Sequence, residues 1–181
     1  SRNEVLACSE FPLRDVVESV LKGHALTLRS QQIRLLSNLE PMDVFADREM
    51  IRTVLDNLVS NALKFSPKGG CLWLRAAKGE DQFSIEVADQ GPGIPMSERK
   101  KVFDAFYQGE QPQGGLVAGT GIGLSVVLEC VQAHDGLVDI SDEQHAVTTK
   151  RGDTVVFNGA HLRIIIPQQF AEREARRVGN G

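Results

Sequence analysis

Two amides and an ammonium stand at helical spacing in the stretch DNLVSNALKF, at Asn57, Asn61 and Lys64. At 3.6 residues per turn the three fall within roughly 60° of one another. They border a broad apolar face made by Ile51, Val54, Leu55, Leu58, Val59 and Ala62. Asparagine is a poor helix former, so two of them in mid-helix carry a cost. Amide oxygens can ligate a hard cation, and a lysine one turn further on can meet a phosphate that the cation bridges. The bland alternative has the amides capping neighbouring loops while the lysine reaches solvent.

Two further segments have chemical potential. In DQGPGIP, Asp89 follows an apolar run, and Gly91 and Gly93 let the backbone approach a planar ligand closely. A carboxylate at a strand end can accept a hydrogen bond from an exocyclic amine, although Asp-Gly-Pro clusters are also ordinary turns. In GTGIGLSVV, Gly119, Gly121 and Gly123 precede a helical pattern, so free backbone N–H groups can face an anion. The segment is neither of the two familiar glycine fingerprints. A dinucleotide-binding turn needs a third glycine where Leu124 stands and a strand before it; a Walker A loop needs Gly-Lys-Ser/Thr, which the chain lacks.

The elements that must position these groups follow from periodicity. FPLRDVVESVLKGHALTLRSQQ predicts helix, with Val16, Val17, Val20 and Leu21 buried. IRLLSNL and VFA predict short strands around the turn at Pro41. A helix from Asp47, a good N-cap, to Phe65 ends at Ser-Pro-Lys-Gly-Gly. CLWLRAAK and QFSIEVAD predict a hairpin through KGED. SERKKVFDAF predicts a short helix running into an aromatic pair, and residues 109–123 a mobile glycine-rich loop with disorder expected around 109–118. A helix resumes from Ile122 to about His134. LVDIS, the stretch around AVTTKRGDTVVF, and HLRIIIP close the chain as strands. Helices and strands mix without βαβ alternation, which predicts an α+β fold: a two-layer sandwich of helices on one face of a mixed sheet. Residues 1–10 are expected to be a linker, 11–168 the domain, and 169–181 a frayed charged tail.

Composition excludes several function classes. With 181 residues the chain can bury one sizeable core. A formal charge of −4 argues against a nucleic-acid binder. No apolar run reaches the length of a membrane span. Cys8, Cys71 and Cys130 are odd in number and far apart, so they read as reduced thiols, and the four histidines form no pair at metal-ligand spacing.

In order, N-x-x-x-N-A-x-K, D-x-G-x-G, V-F-x-x-F-Y and G-T-G-I-G-L resemble the ATP-binding domain of sensor histidine kinases. That domain belongs to the superfamily of gyrase B-type ATPases, heat-shock chaperones and mismatch-repair ATPases. The resemblance is close over about residues 45–140 and implies a Bergerat-type ATP-binding fold with ATP and Mg²⁺ as ligands. By it, Asn61 is the Mg²⁺ ligand, Asn57 its phosphate-side neighbour, and Lys64 a phosphate contact. Phe65 packs on the nucleotide, and Asp89 receives the adenine amino group with Gly91, Gly93 and Ile94 beside the ring. Phe103 and Phe106 anchor the lid. Gly119, Thr120, Gly121, Ile122, Gly123 and Leu124 form its hinge and phosphate-facing backbone.

Chemistry narrows the choice within the superfamily. Hydrolysing relatives place a glutamate at the slot of Asn57, and an amide cannot act as a general base near neutral pH. That favours transfer of the γ-phosphoryl group to a protein by positioning and charge stabilisation. Many relatives have arginines where Ala105 and Gln108 stand here. The closing G-[TS]-x-F pattern appears as GAHL, so Ala160 offers no hydroxyl, and residues 142–158 make a long closing hairpin. His134-Asp135 is the one His-acid pair, and its place before Gly136 predicts a helix terminus instead of a phosphoacceptor.

The resemblance therefore implies the catalytic half of a bacterial two-component sensor kinase. Its partners would be its own dimerisation domain, which carries the phosphoacceptor histidine, and a response regulator receiver domain. The parent would be a homodimer in the inner membrane, and this fragment a cytoplasmic monomer. The rivals are a serine kinase of the anti-sigma type and a degenerate module that binds a partner without ATP.

Overall fold

The structure, a computed structural model, describes residues 6–105, 123–141 and 144–168. Its central sheet has five strands: β2 (Arg34–Leu39), β4 (Cys71–Lys78), β5 (Gln82–Ala88), β9 (His161–Pro167) and β6 (Leu137–Ile140), in the order β2-β4-β5-β9-β6. β2 and β4 run parallel and every other pair is antiparallel, so the sheet is mixed as expected. Strand alternation sends Leu72, Leu74, Phe83, Ile85, Leu162 and Ile164 to one face, where they join the main core.

The long helix α3 (Arg48–Phe65) buries Ile51, Val54, Leu55, Leu58, Val59, Ala62 and Leu63 in that core. Helix α1 (Leu13–Gly23) packs against it on one side and α4 (Gly123–Ala133) on the other. The short helix α2 (Ala25–Ser30) follows α1 after a break at His24, whose Nε2 lies 2.7 Å from the Asp56 carboxylate. Strand β1 (Cys8–Pro12) pairs antiparallel with β3 (Asp43–Asp47). β1 thus starts at Cys8, inside the stretch expected as a linker, because Phe11 is buried and the Ala7 N–H is held by the Asp47 carboxylate at 3.0 Å.

Two features depart from the sequence reading. SERKKVFDAF forms two 3₁₀ turns, Met96–Glu98 and Lys101–Phe103, in place of a helix. Among the described residues of this segment Val102 and Phe103 pack on the core, while Phe106 lies outside them. Arg99 Nε also donates to the Ile94 carbonyl at 3.2 Å, tying the segment back to the loop before it. Second, the hairpin of β7 (His145–Thr148) and β8 (Thr154–Phe157) folds over the sheet face away from the helices. Val155 and Phe157 bury Trp73, Cys71 and Ala88 there, and the His145 ring stacks on Trp73 at 3.9 Å.

His134 ends α4 and is 5% exposed. Its Nε2 accepts the Asp47 N–H at 3.0 Å, so the ring proton sits on Nδ1, which donates to the Cys130 carbonyl at 2.8 Å. Both ring nitrogens are engaged, as suits a helix terminus. Asp47 in turn caps α3 through its carboxylate and the Met50 N–H. His134→Ala leaves two buried backbone groups unpaired, and the expected loss is about 2 kcal/mol in urea unfolding, with His134→Gln recovering part of it.

Candidate functional site

The C-terminal half of α3, the end of β5 and the loop after it close around one cavity of about 260 Å³. Asn61 and Phe65 line it from α3, and Asp89 from the end of β5. Gly93, Ile94 and Leu124 complete the part of the wall foreseen from the sequence. Its volume sits near the small end for ligand pockets and suits a planar base better than a whole nucleotide.

Asp89 is 2% exposed. Its Oδ1 accepts the Gly91 and Ala160 N–H groups, both at 2.9 Å. No hydrogen bond reaches Oδ2 among the described residues, and the side chain lines the cavity. One oxygen is therefore fixed by the fold while the other is an open acceptor. Burial pushes the carboxyl up from the usual 3.8 to about 6, against the pull of the two backbone N–H groups.

On α3, Asn57 Nδ2 donates to the Thr53 carbonyl at 2.7 Å, which orients the amide and leaves Oδ1 as the acceptor. Oδ1 faces the first turn of α4: a Cβ on Gly123 would lie 3.1 Å from it. Asn61 has no hydrogen-bond partner among the described residues. The Lys64 ammonium lies 5.3 Å from the Phe65 ring centroid. Asn57 and Lys64 thus lie on the same helix as the cavity wall without being part of it.

Gly91 and Phe103 are not on the wall either. A Cβ on Gly91 would come 2.5 Å from the Phe65 carbonyl, so this glycine lets the end of α3 close on the loop. Gly93 is the glycine beside the cavity, and it adopts a φ of 78°. Phe103 packs on the main core. Phe106, Gly119, Thr120, Gly121 and Ile122 lie outside the described residues, as does Gln108.

Sequence reading missed Gly159. A Cβ there would collide with Asp89 Oδ1 and come 2.5 Å from the Gly91 nitrogen. Its own N–H donates to the Asp89 carbonyl at 3.1 Å. The signal for it is the glycine of GAHL, directly before Ala160. Pro92, Pro95, Glu98 and Val102, also on the wall, gave no spacing signal because they share one irregular loop.

The raised Asp89 value has a definite sign. The folded chain binds this proton more tightly than the unfolded chain, so the resulting stability is full below pH ~4 and is lost as pH rises through about 6. Asp89→Asn keeps an oxygen for the Gly91 and Ala160 N–H groups and removes the buried charge. At pH 7 it is expected to gain about 2 kcal/mol in denaturant unfolding and to lose the pH dependence between 4 and 6.

Residues 46–164 match the model of the histidine kinase-, DNA gyrase B- and HSP90-like ATPase family. The sensor histidine kinase WalK of Bacillus subtilis is 39% identical over 112 residues, which are 60% of this chain and 18% of that protein. The sensor histidine kinase GlrK of Escherichia coli K12 is 32% identical over 131 residues, 72% of this chain and 28% of that protein. The chain thus spans less than a third of the length of either relative. The solved catalytic domain of histidine kinase ThkA superposes with a TM-score of 0.74 at 25% identity, covering 90% of this chain and 97% of that one. The chain belongs to the histidine kinase-, DNA gyrase B- and HSP90-like ATPase family, and its fold is that of a histidine kinase catalytic domain.

Proposed function

We propose that this chain is the ATP-binding catalytic domain of a two-component sensor histidine kinase. It binds Mg-ATP and donates the γ-phosphoryl group to a histidine on a dimerisation domain of the same protein, for relay to an aspartate on a response regulator. The parent is a homodimer in the bacterial inner membrane with this domain in the cytoplasm. Among the described residues no helix is long and apolar enough to cross a membrane.

One observation supports the reading above the others: Asn61 and Asp89, from separate motifs, line a single cavity. Asp89 Oδ2 accepts the exocyclic amine of adenine, while Oδ1 stays on its two backbone donors. Phe65, Ile94 and Leu124 exclude water from the ring faces. The amide oxygens of Asn57 and Asn61 suit a divalent cation of the Mg²⁺ type, which is content with one or two protein ligands alongside water and phosphate oxygens. Among the described residues no group of three or more His, Cys, Asp or Glu side chains could hold a metal, so the amide stripe is the better candidate. When bound, Mg²⁺ supplies charge neutralisation at the phosphates. Lys64 adds a cation one turn on, and Asn57 supplies no base to activate water, which favours transfer over hydrolysis. An intact cavity with an open acceptor weighs against a degenerate module, and the sensor-kinase names of the relatives weigh against a serine kinase.

Calorimetric titration with ADP and ATP, with and without Mg²⁺, tests the assignment. Asp89→Ala is expected to weaken metal-free ADP by about tenfold or more, and Asn61→Ala to remove mainly the gain that Mg²⁺ confers. Failure of the parent chain to bind either nucleotide rules the proposal out. Mixed with a dimerisation hairpin carrying its histidine, the chain should yield acid-labile phosphohistidine; stable phosphoserine would point to the anti-sigma type instead.

A further inference from the structure

The long hairpin β7–β8 has no part in the nucleotide site, yet it builds a second and larger depression. A cleft of about 920 Å³ runs between β2 and β7 on the sheet face away from the helices. Consecutive residues 34–38 of β2 and 145–151 of the hairpin line it. Side chains alternate between faces along a strand, so contact with consecutive residues means that the cleft meets the strands along their backbone edges.

Both strands have an edge to offer. Among the described residues β2 is the last strand of its sheet and pairs only with β4, and β7 pairs only with β8. The Arg34 N–H donates to Gly70 and the Glu40 N–H to Ala76, so the even-numbered residues of β2 turn their backbone groups toward β4. The odd-numbered residues turn theirs outward, and the Leu39 carbonyl already accepts a hydrogen bond from the Arg14 guanidinium on that side. The N–H and C=O groups of Leu35 and Ser37 are left facing the cleft, an arrangement that native sheets usually cover.

Charge distinguishes this cleft from an ordinary free edge. In a chain of net charge −4, Arg34, Arg75, Lys150 and Arg151 line it, and among the described residues no carboxylate does. Arg34 is paired with Asp153 at 3.0 Å, and Arg75 lies 3.8 Å from Glu86. Lys150 and Arg151, exposed at the turn of the hairpin, have no ion pair among the described residues. Leu36 and Val147 supply apolar surface on the two walls.

We infer that this cleft seats an extended acidic peptide segment of a partner protein, added as a strand to the free edge of β2 with its carboxylates toward Lys150 and Arg151. Backbone pairing to Leu35 and Ser37 supplies the affinity, and alternation turns every second side chain toward the face that Leu36 shares with the hairpin, where acidic side chains meet Lys150 and Arg151. The site is separate from the nucleotide cavity, and nothing in its argument depends on ATP.

The test uses two acetylated octapeptides, one alternating Glu and Val and one alternating Lys and Val, titrated into the ¹⁵N-labelled chain at low salt. Expected are amide shifts in residues 34–38 and 145–151 with the acidic peptide only, and slower exchange at Leu35 and Ser37. Lys150→Glu combined with Arg151→Glu should weaken binding about tenfold. Ser37→Pro removes an outward N–H that the sheet does not use and should abolish binding while ADP affinity stays unchanged. Equal binding of both peptides, binding indifferent to Ser37→Pro, or an absence of shifts in β2 overturns the proposal. So does concentration-dependent self-association that Ser37→Pro abolishes, since that seats a second copy of the chain on the edge.

Discussion

A carboxylate buried to 2% exposure with no cation beside it is an unfavourable thing to fold around, and much of this molecule is arranged to hold Asp89 in that state. Two backbone N–H groups from different parts of the chain, Gly91 and Ala160, converge on one of its oxygens. Gly159 must lack a side chain for the turn that carries Ala160, just before β9, to come so close. Gly91 must lack one for the end of α3 to meet the same loop. Among the described residues the second carboxylate oxygen has no partner, and it lies at the wall of a cavity. Stability alone would favour a neutral residue there, and the proposed binding of an exocyclic amine gives the ionisable acceptor a reason.

The same economy of contacts fixes the helix that faces Asp89. Asp47 caps α3 and also anchors β1 through the Ala7 N–H. Its own N–H is held by His134 at the far end of α4. One buried imidazole therefore sets the spacing between the start of α3 and the end of α4. The first turn of α4 lies against Asn57, so the two helices are tied at both ends of their contact. With α3 held this way, the stripe of Asn57, Asn61 and Lys64 keeps its register relative to the strand that ends in Asp89.

Much of this was legible because it depends on local order. The apolar face of α3 followed from 3.6-residue spacing, and Asp47 and the Ser-Pro-Lys-Gly-Gly stop gave its ends. Strands β4, β5 and β9 follow from continuous apolar runs, whereas the family resemblance, and not local order, groups Asn61, Phe65, Asp89, Gly93, Ile94 and Leu124, which line one cavity. What was not legible depends on distant pairs. That β2 pairs in parallel with β4, and β3 antiparallel with β1 in a separate small sheet, is decided by distant partners and leaves no local mark. Over SERKKVFDAF the expected helix gives way to two 3₁₀ turns, held by contacts to the preceding loop and the core, such as Arg99 to the Ile94 carbonyl, that no local pattern announces. Gly91 was recognised as necessary but for a ligand, whereas its neighbour is the Phe65 carbonyl. A glycine tells that something comes close and not what it is.

The long closing hairpin brings the two faces of the sheet into one problem. Its outgoing strand β8 leads within a few residues to Gly159 and Ala160, the residues pressed against Asp89. Gln90, next to Asp89, accepts the Cys71 N–H at 2.7 Å and donates to the Val156 carbonyl at 2.9 Å, joining β4 and β8 beside the same loop. The base of the hairpin is thus fixed by the demands of the buried carboxylate. Its turn at Lys150 and Arg151 is exposed and is tied to the sheet by the pair between Arg34 and Asp153. Length and charge can be altered at that turn without disturbing the contacts at the base. A fold constrained in this way can keep one face for its nucleotide chemistry and vary the other to suit a partner.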